Sequence, residues 1–272
     1  MPTRPPFKAE IVGSLLRPAA IHEARARLAQ GKCSPDELRV IESRCIADAV
    51  AMQKSVGLKV CSDGEFHRRH WFMDFIERID GVTISGTMGG KFQNAGGDAD
   101  WSPPRIEVRG KLGRSRELAV ADFKDLAPIA AQAGLVAKQP IPSPTILHFR
   151  GGRAAISKEH YPDIAEFYAD LARVYREEIR ALYAAGCRYV QIDETNLAFL
   201  CDPKIRAQVV ALGENPDTLS HTYANLLNDI LADKPADMVI GMHLCRGNHA
   251  SSWMAEGGYD PVAEVKIGRA HV

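Results

Sequence analysis

The chain has 272 residues, of which 46% are hydrophobic and 25% are charged, and its 34 basic residues balance its 34 acidic ones. This composition is typical of a globular protein that can bury a sizeable core, and the zero net charge provides no bulk attraction for nucleic acid or an anionic membrane. The six scattered cysteines, the lack of a signal-peptide pattern and the absence of a long apolar run predict a cytoplasmic protein that makes no membrane contact, with its oligomeric state left open.

Strand and helix patterns alternate along the chain. The pattern predicts strands over residues 9–18, 58–65, 135–144, 187–194 and from 238 onward. It predicts helices over residues 21–30, 35–56, 125–133, 161–185 and 218–231. The second of these helices has the clearest start, because Ser34, Pro35 and Glu37 stand at the positions of an N-cap, a first-turn proline and a capping box.

One stretch interrupts the alternation. Between residues 81 and 113, glycines and short alternating runs replace the helical period, and residues 105–112 alternate polar with apolar side chains as a solvent-facing strand does. We interpret this stretch as an inserted β-hairpin or long loop within one domain.

Residues with reactive or charged side chains stand where several predicted strands end. The first strand runs into Gly13-Ser14, the second into Asp63 and Glu65, and the fourth into Asp193. Strands that alternate with helices imply a parallel sheet whose carboxyl ends carry the site. No dinucleotide or phosphate-loop glycine motif is found, so we predict an α/β fold of the (β/α)8 TIM-barrel type, with about five of its eight strands in this chain.

His243 and Cys245 lie two apart at the end of the fifth predicted strand. Residues at i and i+2 of a strand point the same way, so one imidazole and one thiol converge, and these are ligands that zinc prefers. The alternative is a hydrogen-bonded core histidine beside a small buried cysteine. The residues at the other strand ends also have structural interpretations that involve no function. Gly13-Ser14 can form a plain turn, and Asp63 or Glu65 can be a helix cap or a surface carboxylate.

Six segments, in this order, give the chain a resemblance to the cobalamin-independent methionine synthase family, and specifically to short members similar to its catalytic carboxyl-terminal barrel. They are Val12-Gly13-Ser14, Asp63-Gly64-Glu65-Phe66, residues 135–144, residues 190–194, residues 243–248 and residues 255–259. Each is short, but together they are specific.

The resemblance implies a Zn²⁺-dependent methyltransferase that moves a methyl group from methyl-folate or a similar donor to the thiol of homocysteine. It implies that His243 and Cys245 are metal ligands and that Gly13 and Ser14 hold the substrate carboxylate. Glu65 and Asp193 are implied as catalytic residues that bind the substrate amino group. The partners are then small molecules, a thiol and a methyl donor.

The resemblance also suggests that residues 1–266 form a partial barrel, truncated at its carboxyl end, and that residues 267–272 are a non-native tail, because they do not resemble the family. A barrel that lacks strands exposes sheet edges, and two ligands hold zinc weakly. An inactive fragment is therefore one alternative hypothesis, and zinc-dependent alkyl transfer to another thiol, such as coenzyme M in epoxide opening, is the other.

Overall fold

The protein is described from a computed structural model, which describes residues 10–87, 90–92, 99–101, 104–249 and 252–265. The predicted non-native tail, residues 267–272, lies outside these ranges. The α-helices are α1 (Ala19–Ala29), α2 (Pro35–Ser55), α3 (Met73–Ile76), α4 (Val120–Ala133), α5 (Ile146–Phe149), α6 (Ile164–Ala184), α7 (Asn196–Phe199), α8 (Pro203–Ala211) and α9 (Pro216–Leu231). The strands are β1 (Val60–Cys61), β2 (Asp80–Thr87), β3 (Gly90–Phe92), β4 (Ala99–Trp101), β5 (Pro104–Gly113), β6 (Val136–Ala137), β7 (Gln139–Pro142), β8 (Tyr189–Glu194), β9 (Val239–Leu244), β10 (Asn248–His249) and β11 (Ser252–Trp253).

The parallel strands stand side by side in the order in which they occur in the chain. β1 pairs with β6, and β7, β8 and β9 form a three-stranded parallel sheet. Lys138 alone separates β6 from β7. The main-chain N–H of Lys138 donates to the Cys61 carbonyl of β1 at 2.8 Å, so the hydrogen bonding between β1 and β6 extends one residue toward β7. The predicted α/β class is confirmed, but a closed barrel is not, because the parallel strands of the described residues form an open array.

Most predicted helices are present with shifted ends. α2 begins as its sequence indicates: the Ser34 hydroxyl accepts from the Glu37 amide at 3.1 Å, and the Glu37 carboxylate accepts from the Ser34 amide at 2.7 Å. α4 starts at Val120, five residues before the predicted start, because a carboxylate from another helix caps it. The sequence pattern missed α8, which begins after an Asp202 cap.

The predicted first strand is wrong. Residues 10–18 have no strand partner, and side chains of the neighbouring strands bind this segment instead. The side-chain amide of Gln191 donates to the Val12 carbonyl at 2.6 Å, and the Ser62 hydroxyl donates to the Gly13 carbonyl at 2.6 Å. The Lys138 ammonium donates to the Ile11 carbonyl. Because backbone polar groups need partners when they are covered, these three side chains replace a strand ladder and lay the segment across one face of the sheet.

The predicted insertion near residues 81–113 is confirmed as β structure. β2 pairs antiparallel with β5, and β3 pairs antiparallel with β4, so the insertion is a long hairpin. Its base is packed on the body of the protein, because Ile106 and Val108 of β5 are buried in the main core and Val108 bridges to Ile156. Gly81 is required at its start, since a Cβ there would lie 2.6 Å from the Lys111 carbonyl oxygen.

The main core lies between the sheet and the helices that follow its strands. Val190 and Ile192 of β8 pack in it together with Leu171 and Tyr175 of α6, and the Tyr175 hydroxyl donates to the Pro142 carbonyl at 2.9 Å. Residues 189, 191 and 193 alternate with these and therefore occupy the opposite face, where the amino-terminal segment lies. Within the described ranges, no helix combines the length and the apolar character that a bilayer crossing requires.

Glu178 connects α6 to the start of α4 and leads to a stability prediction. Its side chain is fully buried, pairs with Arg114, and accepts from the Ala119 amide at 2.6 Å and the Val120 amide at 3.2 Å. Replacing Glu178 with alanine leaves the partly buried Arg114 guanidinium and three main-chain amides, those of residues 118–120, without their acceptor. We therefore expect the free energy of unfolding to fall by about 3–5 kcal/mol, measured by urea denaturation. Glu177→Ala is the matched control. Its ion pair with Arg173 is at the surface, so a loss below about 1 kcal/mol is expected, and equal losses at both positions would contradict the prediction.

Candidate active site

One cavity of about 370 Å³ lies at the carboxyl ends of the parallel strands. It collects residues from distant parts of the sequence: Ser14, Glu65, Asp193, His243 and Cys245 all line it. These are five of the six residues that the sequence singled out. Gly13, the sixth, lies directly behind, where a Cβ would be 2.9 Å from the Pro140 ring and 3.0 Å from a Glu65 carboxylate oxygen.

The Asp63-Gly64-Glu65 turn separates the two acidic side chains. Gly64 and Glu65 both have left-handed backbone, with φ of 67° and 59°. This conformation is uncommon for a residue other than glycine and is often retained at functional sites. The Asp63 carboxylate accepts from the Glu65 amide at 2.9 Å and lies 3.4 Å from the His67 ring, so it supports the turn from behind.

The Glu65 carboxylate lies on the cavity side of this turn. Glu65 is 3% exposed, and its Oε1 atom is 3.8 Å from the Arg68 guanidinium. Its Oε2 atom is buried and accepts no hydrogen bond from the part of the chain that the structure describes. A buried carboxylate oxygen without a donor is costly. The turn thus holds an acceptor that an incoming donor could satisfy.

Asp193 and Glu194 lie on opposite sides of the end of β8. Asp193 lines the cavity and accepts from the Gln191 amide at 2.7 Å. Glu194 is fully buried and accepts from the Asn196 amide at 2.6 Å and the Thr145 hydroxyl at 2.8 Å. Successive strand residues point to opposite faces, so Glu194 ties together two loops while Asp193 is left for the cavity.

The two cavity carboxylates make the site favour a cation. Burial and the negative charge of Glu65 together raise the pKa of Asp193 to about 7, against the lowering effects of Gln191 and nearby cations. Burial also raises the pKa of Glu65, as does the negative charge of Asp63, against the lowering effect of Arg68. Both groups hold a proton more readily than in water because each is desolvated and lies near another carboxylate, so a bound cation would relieve both effects.

His243 and Cys245 reach the same cavity from β9. Asp193 and His243 are paired in the β8–β9 register, and Cys245 follows two residues later on the same face. Burial lowers the pKa of His243, as does the positive charge of Lys138, so the imidazole is kept neutral with a lone pair available. Burial raises the pKa of the Cys245 thiol.

The donor set fits a soft metal ion in type, since an imidazole nitrogen and a sulfur are zinc ligands. Two protein ligands are fewer than the three or four that hold zinc in most protein sites. Within the described ranges, no group of three or more His, Cys, Asp or Glu side chains is arranged to hold a metal ion. His243 and Cys245 therefore account for part of a coordination sphere.

Sequence reasoning missed part of the cavity wall. Arg17, Arg150, Phe199 and Met254 line the cavity although no motif contains them. The run of polar and aromatic residues from His67 to Trp71 is a partial signal in the sequence, because such a density of these side chains is unusual in a connecting segment. Its members Arg69, His70 and Trp71 line the cavity, whereas the other two turn away: His67 lies among carboxylates behind the turn, and Arg68 donates to the Trp71 carbonyl at 3.1 Å.

These observations define the class of protein: an α/β domain with sequentially ordered parallel strands and a polar site at their carboxyl ends. The family model described as "Cobalamin-independent synthase, Catalytic domain" matches residues 7–252. The chain belongs to this cobalamin-independent methionine synthase family.

Individual relatives agree with the family match. The chain is 43% identical over 261 residues to "Uncharacterized protein YxjH" of Bacillus subtilis, covering 96% of this chain and 67% of that protein. It is 27% identical over 197 residues to a 5-methyltetrahydropteroyltriglutamate–homocysteine methyltransferase of Thermosynechococcus vestitus, covering 72% of this chain and 24% of that protein. The crystal structure of a putative vitamin-B12-independent methionine synthase from Listeria monocytogenes superposes with a TM-score of 0.74 at 38% identity, covering 98% of this chain and 71% of that one.

Proposed function

We propose that the protein transfers a methyl group from a donor to the thiol of homocysteine, which gives methionine. The observation that carries this proposal is the single cavity in which two buried carboxylates face an imidazole and a thiol. Family membership supports methyl transfer, and a relative with 27% identity is named as a homocysteine methyltransferase.

The acidic pair supports an amino-acid acceptor. Glu65 and Asp193 are desolvated carboxylates that line the same cavity, and a substrate ammonium would be attracted by both and supply a donor to Glu65 Oε2, which accepts from no described residue. Ser14, with the backbone at Gly13, would hold the carboxylate on the same α-carbon, which leaves the thiol at the other end of the substrate. Two fixed anchors orient the acceptor, so that its sulfur reaches the side of the cavity that carries His243 and Cys245.

In this proposal His243 and Cys245 hold a zinc ion together with ligands outside the described residues. Bound zinc would keep the acceptor thiol as thiolate at neutral pH, which is the nucleophilic form. The neutral state of the buried His243 imidazole suits this role, because only the neutral ring has a lone pair for a metal.

The overall step is a balanced substitution. The acceptor thiol loses its proton, its sulfur forms a bond to the methyl carbon, and the bond between that carbon and the donor breaks, with the electron pair staying on the donor. Methyl-folate, a methylated corrinoid protein or a small methylated metabolite satisfies this balance. A sulfonate thiol such as coenzyme M is a poorer match, since it has no amino group for the acidic pair.

The test is product formation by the purified chain. We expect methionine carrying a deuterated methyl group, measured by mass spectrometry, when zinc, L-homocysteine and one of the three labelled donors are supplied. 4-Mercaptobutanoate, which lacks the amino group, should be methylated more slowly by a factor of about 10 or more, because it forgoes a charged hydrogen bond. Methylation of both thiols at equal rates, or no methylation with any donor, would count against the proposal.

A further inference from the structure

Arg17 is a cavity residue that the sequence motifs do not include. It lies in the segment before α1, three residues after Ser14, and it lines the same cavity as Ser14 and Glu65. One of its terminal nitrogens, Nη2, donates to the Glu65 main-chain carbonyl at 3.2 Å. The guanidinium is therefore fixed against the turn that also carries the Glu65 carboxylate.

A second observation shows that this guanidinium has unused binding capacity. Its Nε atom is buried, and no residue that the structure describes accepts a hydrogen bond from it. Burial lowers the pKa of Arg17, and the positive charge of Arg25 lowers it further, although Glu65, Asp74 and Asp63 act in the opposite sense. A buried, positively charged donor without a partner is unfavourable, so an anionic acceptor beside it would be bound strongly.

The other arginines on the cavity wall are differently engaged. Arg69 pairs with Asp74 at 3.0 Å and with Glu77 at 2.6 Å, and its side chain is 66% exposed. Arg150 lies over the Phe72 ring, 5.2 Å from its centroid. Arg17 differs from both because it lies in the same segment as Ser14 and donates a hydrogen bond to Glu65, whose carboxylate lines the cavity.

We propose that Arg17 binds the carboxylate of the acceptor amino acid through its guanidinium, alongside Ser14. This inference rests on the proposed function and adds a specificity-determining residue to it. The planar guanidinium matches a carboxylate in geometry and charge. Glu65 would then position both charged groups on the substrate α-carbon: its side chain takes the ammonium, and its main-chain carbonyl holds the arginine that takes the carboxylate.

The consequence is selectivity for α-amino acids over thiols or thioethers with only one of the two charges. A site that carries a buried donor for a carboxylate disfavours an analogue without one, because the donor is then left unpaired. L-Methionine and 3-(methylthio)propylamine differ only in that carboxylate, so this pair isolates the contribution of Arg17.

The experiment measures binding of both compounds by isothermal titration calorimetry to the full chain, to Arg17→Met, to Arg17→Lys and to Arg27→Met. We expect Arg17→Met to bind L-methionine roughly 10- to 100-fold more weakly and the amine within about 2-fold of the wild type. Arg17→Lys keeps the charge but lacks the planar guanidinium, so an intermediate loss for L-methionine is expected. Arg27→Met is the matched control: Arg27 lies on the exposed surface of α1 and does not line the cavity, so this variant should bind both compounds as the wild type does.

Several results would overturn the inference. An unchanged affinity for L-methionine in both Arg17 variants would sink it while leaving the proposed function intact. Equal losses for L-methionine and the amine would show that Arg17 acts only by supporting Glu65. If L-methionine does not bind the wild type, this inference and the proposed function both fail. A melting curve for each variant ensures that folded proteins are compared, and Arg17→Lys tests the inference if Arg17→Met does not fold.

Discussion

Replacing Cys245 with serine is expected to slow methyl transfer to homocysteine more than about 100-fold and to lower the zinc bound per chain. The hydroxyl of serine stays protonated at neutral pH and is a poor zinc ligand, while the shape of the site is kept. Mutating a residue that only orients a metal ligand typically lowers metal affinity or activity about 10- to 100-fold. Loss of a ligand itself should therefore have an effect larger than that range. The measurements are kcat/KM and the zinc content after dialysis.

Cys45→Ser is the matched control for this variant. Cys45 belongs to α2 and is buried in a small core cluster, and it does not line the cavity. It should change neither zinc content nor the rate beyond what lower stability causes. His243→Ala should reproduce the effect of Cys245→Ser, because both side chains lie on one face of β9. A Cys245→Ser protein that retains full zinc and full activity would refute the assignment of these two residues.

Removing the charge of both cavity carboxylates is expected to have the next largest effect. In Glu65→Gln and Asp193→Asn the side-chain shape is kept, but the attraction for a substrate ammonium is lost. A hydrogen bond to a charged group contributes about 1.5–3 kcal/mol, so each variant should lower kcat/KM for homocysteine roughly 10- to 100-fold. The loss should lie mainly in KM, because the ammonium is bound in the ground state as well as in the transition state.

Two controls distinguish this effect from a general disturbance. Asp237→Asn changes a carboxylate just before β9, at the opposite end of the strand, where Asp237 accepts from the Tyr183 hydroxyl at 2.8 Å, and it should leave KM unchanged. 4-Mercaptobutanoate has no amino group, so the wild type and the two carboxamide variants should methylate it at similar rates. Equal losses for this thiol and for homocysteine would show that the carboxylates do not bind the ammonium.

The local parts of the fold were predictable from sequence because they depend on neighbouring residues. The capping box at Ser34 and Glu37 is a contact between residues three apart, and it forms as predicted. The strand predicted at residues 187–194 forms over residues 189–194, and every one of those six residues is buried. The predicted start of α4 was wrong because the carboxylate that caps this helix belongs to Glu178, which lies nearly 60 residues after the helix start in the sequence.

The candidate residues were identified in sequence by their place at strand ends, but their relation to one another was not. Parallel strands bring their carboxyl ends to one edge, which is why one cavity collects Glu65, Asp193 and His243. Ser14 reaches the same cavity for another reason, because side chains near the strands hold residues 10–18 across the sheet. Asp63 and Glu194 have the same chemistry and nearly the same place in sequence, yet they support turns and loops instead. The direction of each side chain decides this, and it depends on backbone conformation and register.

The sequence by itself determined the family, the alternation of strands and helices, the inserted hairpin and the residue types that meet at the strand ends. These follow from local periodicity and from short motifs, which need no knowledge of distant contacts. Only the tertiary structure decided that residues 10–18 are held by side chains rather than by a strand ladder, and that Arg17 enters the cavity with an unpaired donor. Both depend on groups far apart in the chain, whose separation and burial are set only when the chain folds.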